Sequence, residues 1–171
     1  IFDPSKLDWI NNHHLAALSF DNFKRRLIPF LDALGLDYLN KKNINEIISA
    51  MRTSKPNLLG IAKDLIPYFS ELNSYDEKAA NKFLIGSEAV LEFVQRKLNG
   101  IDEWNETSID NVLNEAQTTL NLATPKLNQP IRIAITGSTR SPSLGLTLSL
   151  FSRDEVNNRI NSALEFLANL N

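Results

Sequence analysis

Apolar residues recur at every third or fourth position through nearly the whole chain, a periodicity that admits little other than packed α-helices. Phe23, Leu27, Phe30, Leu31 and Leu34 share one face of a helix predicted over 21–34, with Gly35 as its stop. Pro29 lies inside that pattern and predicts a kink or two shorter helices. Asp3-Pro4 reads as a cap and a first-turn Pro, opening a helix with Leu7, Ile10, His14 and Leu18 on one face. Ile44, Ile47, Ile48 and Met51 define a helix from Asn43, and the polar run 52–57 breaks it. Another helix is predicted over 58–68, where Pro67 limits it. Ser74 and Glu77 have capping-box spacing and predict a helix reaching Leu84, followed by one over 87–98. Asn105 caps a helix to about Leu120, with Ile109, Val112, Leu113 and Ala116 inward. Ser152 and Glu155 form a second capping box, opening a helix with Val156, Ile160, Ala163, Leu164 and Leu167 inward. Trp9, Trp104, Tyr68 and Phe69 read as core or seam anchors.

The fold class is therefore all-α. With 171 residues and 43% hydrophobic content, the chain builds one ordinary domain or two small ones. Asn73-Ser74 and Gly86 are candidate seams, and the division expected is 1–73 and 74–171. The absence of cysteine removes disulfides, thiolate metal sites and a Cys nucleophile, and fits a reducing cytoplasm. Adjacent His13 and His14 point about 100° apart on a helix and make a poor metal pair. No apolar run approaches the ~20 residues of a membrane span. Ile1 in place of Met reads as a piece of a longer protein.

One segment departs from the pattern. Residues 130–136 form a short apolar run carrying one Arg132; it breaks at Thr136-Gly137 and passes through the Ser-rich turn 138–143, which holds Pro142, before helix resumes at Leu144. Thr124-Pro125 reads as the loop leading into it. Loops on a rigid scaffold are where recognition groups collect. Arg132 offers a planar guanidinium, for a base or for a salt bridge to a neighbouring helix. Thr136 and Ser141 offer small donors and acceptors. Pro142 and Leu144 offer apolar surface, though Leu144 equally suits core packing. Gly137 reads mainly as a turn requirement. The net charge of −2 argues against a strong non-specific grip on nucleic acid, although Lys24-Arg25-Arg26, Lys41-Lys42 and the Arg132/Arg140 pair are local cationic clusters.

This closing pattern, together with Phe2-Asp3-Pro4-Ser5-Lys6-Leu7-Asp8-Trp9-Ile10 at the start and Arg159-Ile160-Asn161 in the last helix, resembles the anticodon-binding half of bacterial glutamyl-tRNA synthetases across essentially the whole chain. The resemblance implies two packed helical subdomains forming a cage around the anticodon, with tRNA as partner, a monomeric protein and a cytoplasmic location. It implies tRNA-binding roles for Arg132, Thr136, Ser141, Pro142 and Leu144. It also implies that ATP and Mg are bound by the parent enzyme's catalytic half, since neither ATP motif of the family occurs in this sequence and no cofactor is expected in the fragment. One departure stands out. Where family members that separate glutamate tRNA from glutamine tRNA often carry an Arg, in the turn after Met51, this chain has Ser54, with Arg52 and Lys55 beside it. Ser lacks the bidentate fork, which leaves tRNA discrimination open. A helical protein-interaction module without RNA binding is the competing reading.

Overall fold

The computed structural model describes residues 4–170. Among them there are eleven α-helices, one π-helical turn and no strand. The chain divides into two compact units, 1–71 and 72–171, each with its own core.

The first unit holds α1 (Pro4–Ala17), α2 (Phe20–Ala33), α3 (Ile44–Met51), α4 (Leu58–Asp64) and α5 (Ile66–Phe69). Asp3, the expected cap of α1, and the side chain of Leu7 lie outside the described residues. The anchor of α1 is Leu15, which is buried, whereas His14 is exposed. Trp9, expected in the core, is 68% exposed and stacks on His13 one turn later.

In α2, Ser19 caps the start by accepting from Asn22 N, and Phe23, Leu27 and Leu31 are fully buried. The helix runs unbroken through Pro29, as one helix and not the two shorter ones the sequence also allowed. Pro29 and Arg25 both face solvent, where water can satisfy the Arg25 carbonyl that Pro29 leaves without a donor. Gly35 ends the helix in the left-handed region, at φ 66°. The helix expected over 58–68 is two: α4 stops at Asp64, and α5 begins at Ile66 with Pro67 in its first turn, where a missing N–H costs nothing. Tyr68 and Phe69 are buried as expected.

The second unit contains α6 (Glu77–Ala79), which passes into a π turn over Ala80–Leu84, then α7 (Glu88–Asn99), α8 (Glu106–Thr119), α9 (Thr124–Thr136), α10 (Leu144–Ser149) and α11 (Arg153–Ala168). The cap of α6 is Asp76, whose Oδ1 accepts from Ala79 N at 2.8 Å, and not Ser74. The π turn shows in the Ile85 N to Ala80 O bond of 3.1 Å, which spans five residues. The cap of α8 at Asn105 and the capping box of α11 form as read. Each such cap is worth about 1 kcal/mol.

The largest correction concerns α9. Thr124-Pro125 is the first turn of a helix, and the apolar run 130–136 is its second half. Leu127, Ile131, Ile133, Ala134 and Ile135 are buried on every side, because the π turn, α7, α8, α10 and α11 all pack against this helix. With neighbours on several sides, the second half of this helix leaves only Arg132 outside the buried set.

Candidate nucleic-acid interface

Two turns carry the residues singled out in the sequence, one in each unit. In the second unit, α9 ends at Gly137 with φ 68° and ψ 1°, a left-handed cap. A Cβ there would approach Leu72 Cδ1 to 2.8 Å, so both conformation and space call for glycine. Thr136 is buried; its hydroxyl donates to Arg132 O at 2.8 Å and accepts from Ser138 N at 3.3 Å. Arg132 reaches forward from α9 under the turn. Its Nη1 donates to Ser141 O at 3.0 Å, to Pro142 O at 2.8 Å and to Ser141 Oγ. Ser141 Oγ also lies 2.8 Å from the hydroxyl of Thr147, which is fully buried in α10.

The turn 137–143 is thus strapped from below by one guanidinium and two hydroxyls. Leu144 is 4% exposed and seats the start of α10 in the core. Ser143 Oγ donates to Glu106 Oε1 at 2.9 Å. Exposed on top are Ser138, Arg140 and Ser143, with Thr139, Ser141 and Pro142 half-buried. The five expected contact residues are therefore together, but they divide by depth. Thr136 and Leu144 lie beneath the surface, Arg132 holds the turn, and Ser141 and Pro142 are partly accessible. Arg132 does not point freely outward; it turns in to the carbonyls of the turn.

In the first unit, Arg52 does similar work. Its Nη2 donates to Leu15 O at 2.9 Å, to Ala16 O at 3.2 Å and to Leu18 O, tying the last turn of α1 to the segment after α3. The guanidinium also lies 5.1 Å from the centre of the Phe23 ring. A cation at a helix C-terminus offsets the partial negative charge of the unpaired carbonyls. Ser54 is exposed. The Nζ of Lys55 stands 3.9 Å from Asp64 Oδ2, and its stem lies against Gly60.

Sequence reading did not foresee this use of arginine. Arg153 Nη2 donates to Ile101 O at 2.6 Å, beyond the end of α7, and its guanidinium lies over the Trp104 ring at 5.4 Å. Arg159 Nη1 donates to Ile135 O and covers the Phe151 ring at 4.5 Å. An acceptor that is a backbone carbonyl leaves no mark in the sequence. Beside the α9 turn lies a further feature, a pocket of about 410 Å3 walled by Lys78, Lys82 and Phe83 on one side and by 137–139 on the other. The signal available was the lysine pair at i and i+4, but the π turn that shapes this wall has no signature in composition. Tyr75, whose ring lies tilted against Phe166 with centroids 5.0 Å apart, has its hydroxyl pKa raised above the usual 10.0 by burial, with the Arg159 charge opposing.

The described residues form helices joined by turns, with a strapped polar turn in each unit and no helix long and apolar enough to cross a membrane. A family model described as "Anticodon binding domain" matches residues 22–164, and the chain belongs to that family. It is 31% identical over 167 residues to glutamate–tRNA ligase 2 of Halorhodospira halophila, covering 97% of this chain and 35% of that protein. It is 34% identical over 166 residues to the glutamate–tRNA ligase of Myxococcus xanthus, covering 96% and 35%. This chain thus spans about a third of the length of these relatives. In fold it is similar to the crystal structure of a glutamate tRNA ligase from Elizabethkingia meningosepticum in complex with its amino acid. The TM-score is 0.83, at 20% identity, over 97% of this chain and 33% of that one. A glutamate-tRNA synthetase of Elizabethkingia anophelis gives 0.79 at 20% identity, over 96% and 32%.

Proposed function

We propose that this chain reads the anticodon loop of a tRNA and that its parent protein is a glutamyl-tRNA synthetase, in which anticodon contacts raise glutamylation at a distant catalytic half. The observation that carries the reading is the anticodon-binding family match, which runs through both turns. The glutamate–tRNA ligases that align over nearly all of this chain support the choice of amino acid. In the parent, ATP and Mg belong to the catalytic half; the fragment itself works by recognition, as a cytoplasmic monomer. The alternative of a helical interaction module without RNA gains nothing from these relatives.

Unstacked anticodon bases are read by hydrogen bonds to their edges and by stacking, which needs few charges and suits an acidic protein. In the second unit, Ser138, Arg140, Ser141, Pro142 and Ser143 present the readable surface. Arg132 and Thr136 set its shape from within, and Leu144 fixes its far end. In the first unit, Ser54 and Lys55 offer a hydroxyl and an ammonium, while Arg52 positions their turn. With Ser54 where a guanidinium fork would discriminate, the protein accepts both glutamate and glutamine tRNA.

The test is binding of both transcripts at two salt concentrations. Equal affinity for both is expected, and it falls as salt rises. Arg132→Ala is expected to weaken binding about tenfold or more, since a strapped turn becomes loose. Preference for glutamate tRNA would refute relaxed discrimination. Unchanged affinity in Arg132→Ala would refute that residue's role, and no binding to either tRNA would refute the RNA reading.

A further inference from the structure

In the first unit, α1, α2 and the start of α4 enclose a pocket of about 580 Å3 that none of the roles above uses. Its size is in the range of small-molecule sites, about 300–1,000 Å3. The ring of Phe30 and the side chains of Leu18 and Leu59 give it flat apolar wall. Asn11 supplies an amide at one edge, and exposed His14 and Arg26 stand at the rim. Among the described residues, no aspartate or glutamate lines it. Arg26 differs from Arg52, Arg132, Arg153 and Arg159 in a way that matters. Those four donate to backbone carbonyls, whereas Arg26 makes no hydrogen bond or ion pair among the described residues.

We infer that this pocket takes one nucleotide of the bound RNA, with its base against Phe30, Leu18 and Leu59 and its phosphate on Arg26. The inference rests on the RNA reading above and adds a contact beside the first unit's turn, whose Pro56 and Asn57 line the same pocket. An apolar wall with one aromatic ring suits the face of any base, an amide at the edge can donate and accept, and an uncommitted guanidinium without an acidic neighbour suits a phosphate.

The experiment is binding of a glutamate tRNA transcript to the chain and to Arg26→Ala, Leu59→Asp and Arg25→Ala, over a series of salt concentrations. Arg26→Ala is expected to weaken binding about fivefold to tenfold and to lower the salt slope by about one ion. Leu59→Asp, which places a carboxylate in the base seat, is expected to cost about tenfold or more. Arg25→Ala, on the same helix but outside the pocket, is expected to change affinity less than either. Both Arg26 and Leu59 are solvent-accessible, so melting temperatures report whether the fold survives; if Leu59→Asp does not fold, Arg26→Ala carries the test. A 4-thiouridine-substituted transcript is expected to cross-link to the segment bearing Phe30. If the wild type binds tRNA and both pocket variants bind as well as it does, the pocket is not an RNA site, though the anticodon reading stands. If the wild type binds no tRNA, both fall together.

Discussion

At the scale of single residues, the chain spends its arginines on its own backbone. Four of eight, at 52, 132, 153 and 159, donate to carbonyls at or beyond helix ends. A sequence can locate an arginine next to a turn, as with Arg132, but it cannot say which way the fork faces. That choice depends on where unpaired carbonyls fall in three dimensions. Trp9 shows the same gap in reverse: its spacing places it on a helix, yet the face it occupies meets solvent and His13. Gly137 was legible, because Thr-Gly at the end of an apolar run is a helix stop, and the left-handed φ of 68° follows. Gly137→Ala is expected to lower stability by about 1–2 kcal/mol from conformation alone. The Leu72 contact adds to that, and denaturant titration reads the sum.

Tyr75 yields a prediction about pH. Burial raises its hydroxyl pKa in the folded chain above the ordinary 10.0 that the unfolded chain keeps. Between the two values the unfolded state has lost a proton that the folded state retains. The stability involved is therefore complete below about pH 10 and is lost as pH rises through the raised value. Tyr75→Phe is expected to flatten the alkaline loss of stability, measured as melting temperature against pH between neutral and strongly basic buffer. An unchanged slope would assign the loss to other groups.

At the scale of elements, amphipathic helices were legible and wrapped ones were not. The inward faces of α2, α3, α7, α8 and α11 follow the spacing because each buries one side only. α9 has an exposed first turn, a second half that is buried but for Arg132, and two prolines, so its residues imitate a loop followed by an apolar run. The π turn after α6 is another case: one extra residue in a turn changes no pattern of polarity. Close packing of α8 on α10 leaves its trace in Gly145, where a Cβ would stand 2.1 Å from Asp110 Oδ1. Gly145→Ala must push these helices apart or turn Asp110 aside, at an expected cost of about 1–3 kcal/mol. Pairing it with Asp110→Ala removes the clash, so the double variant is expected to be more stable than the sum of the two single effects. Strict additivity would mean that the two positions do not meet.

At the scale of the whole molecule, the chain comprises two compact bodies with separate cores, meeting in sequence between Glu71 and Leu72. The sequence expectation put the seam at Asn73-Ser74, from the polar residues there, and the described contacts divide the chain between Glu71 and Leu72. The second unit holds α9 together with the π turn, α7, α8, α10 and α11 that pack against it. A polypeptide of residues 72–171 is expected to keep its helicity and to melt cooperatively by circular dichroism. A gradual, featureless melt would mean that its core depends on the first unit.

The arginine straps have one consequence for how the protein meets polyanions in general. A guanidinium already shared among carbonyls is poor bait for heparin, stray messenger or DNA, so the surface is less cationic than a tally of the letters implies. The cations without such a partner, Arg26 and Arg140 among them, are the ones left to answer a phosphate where its geometry is met.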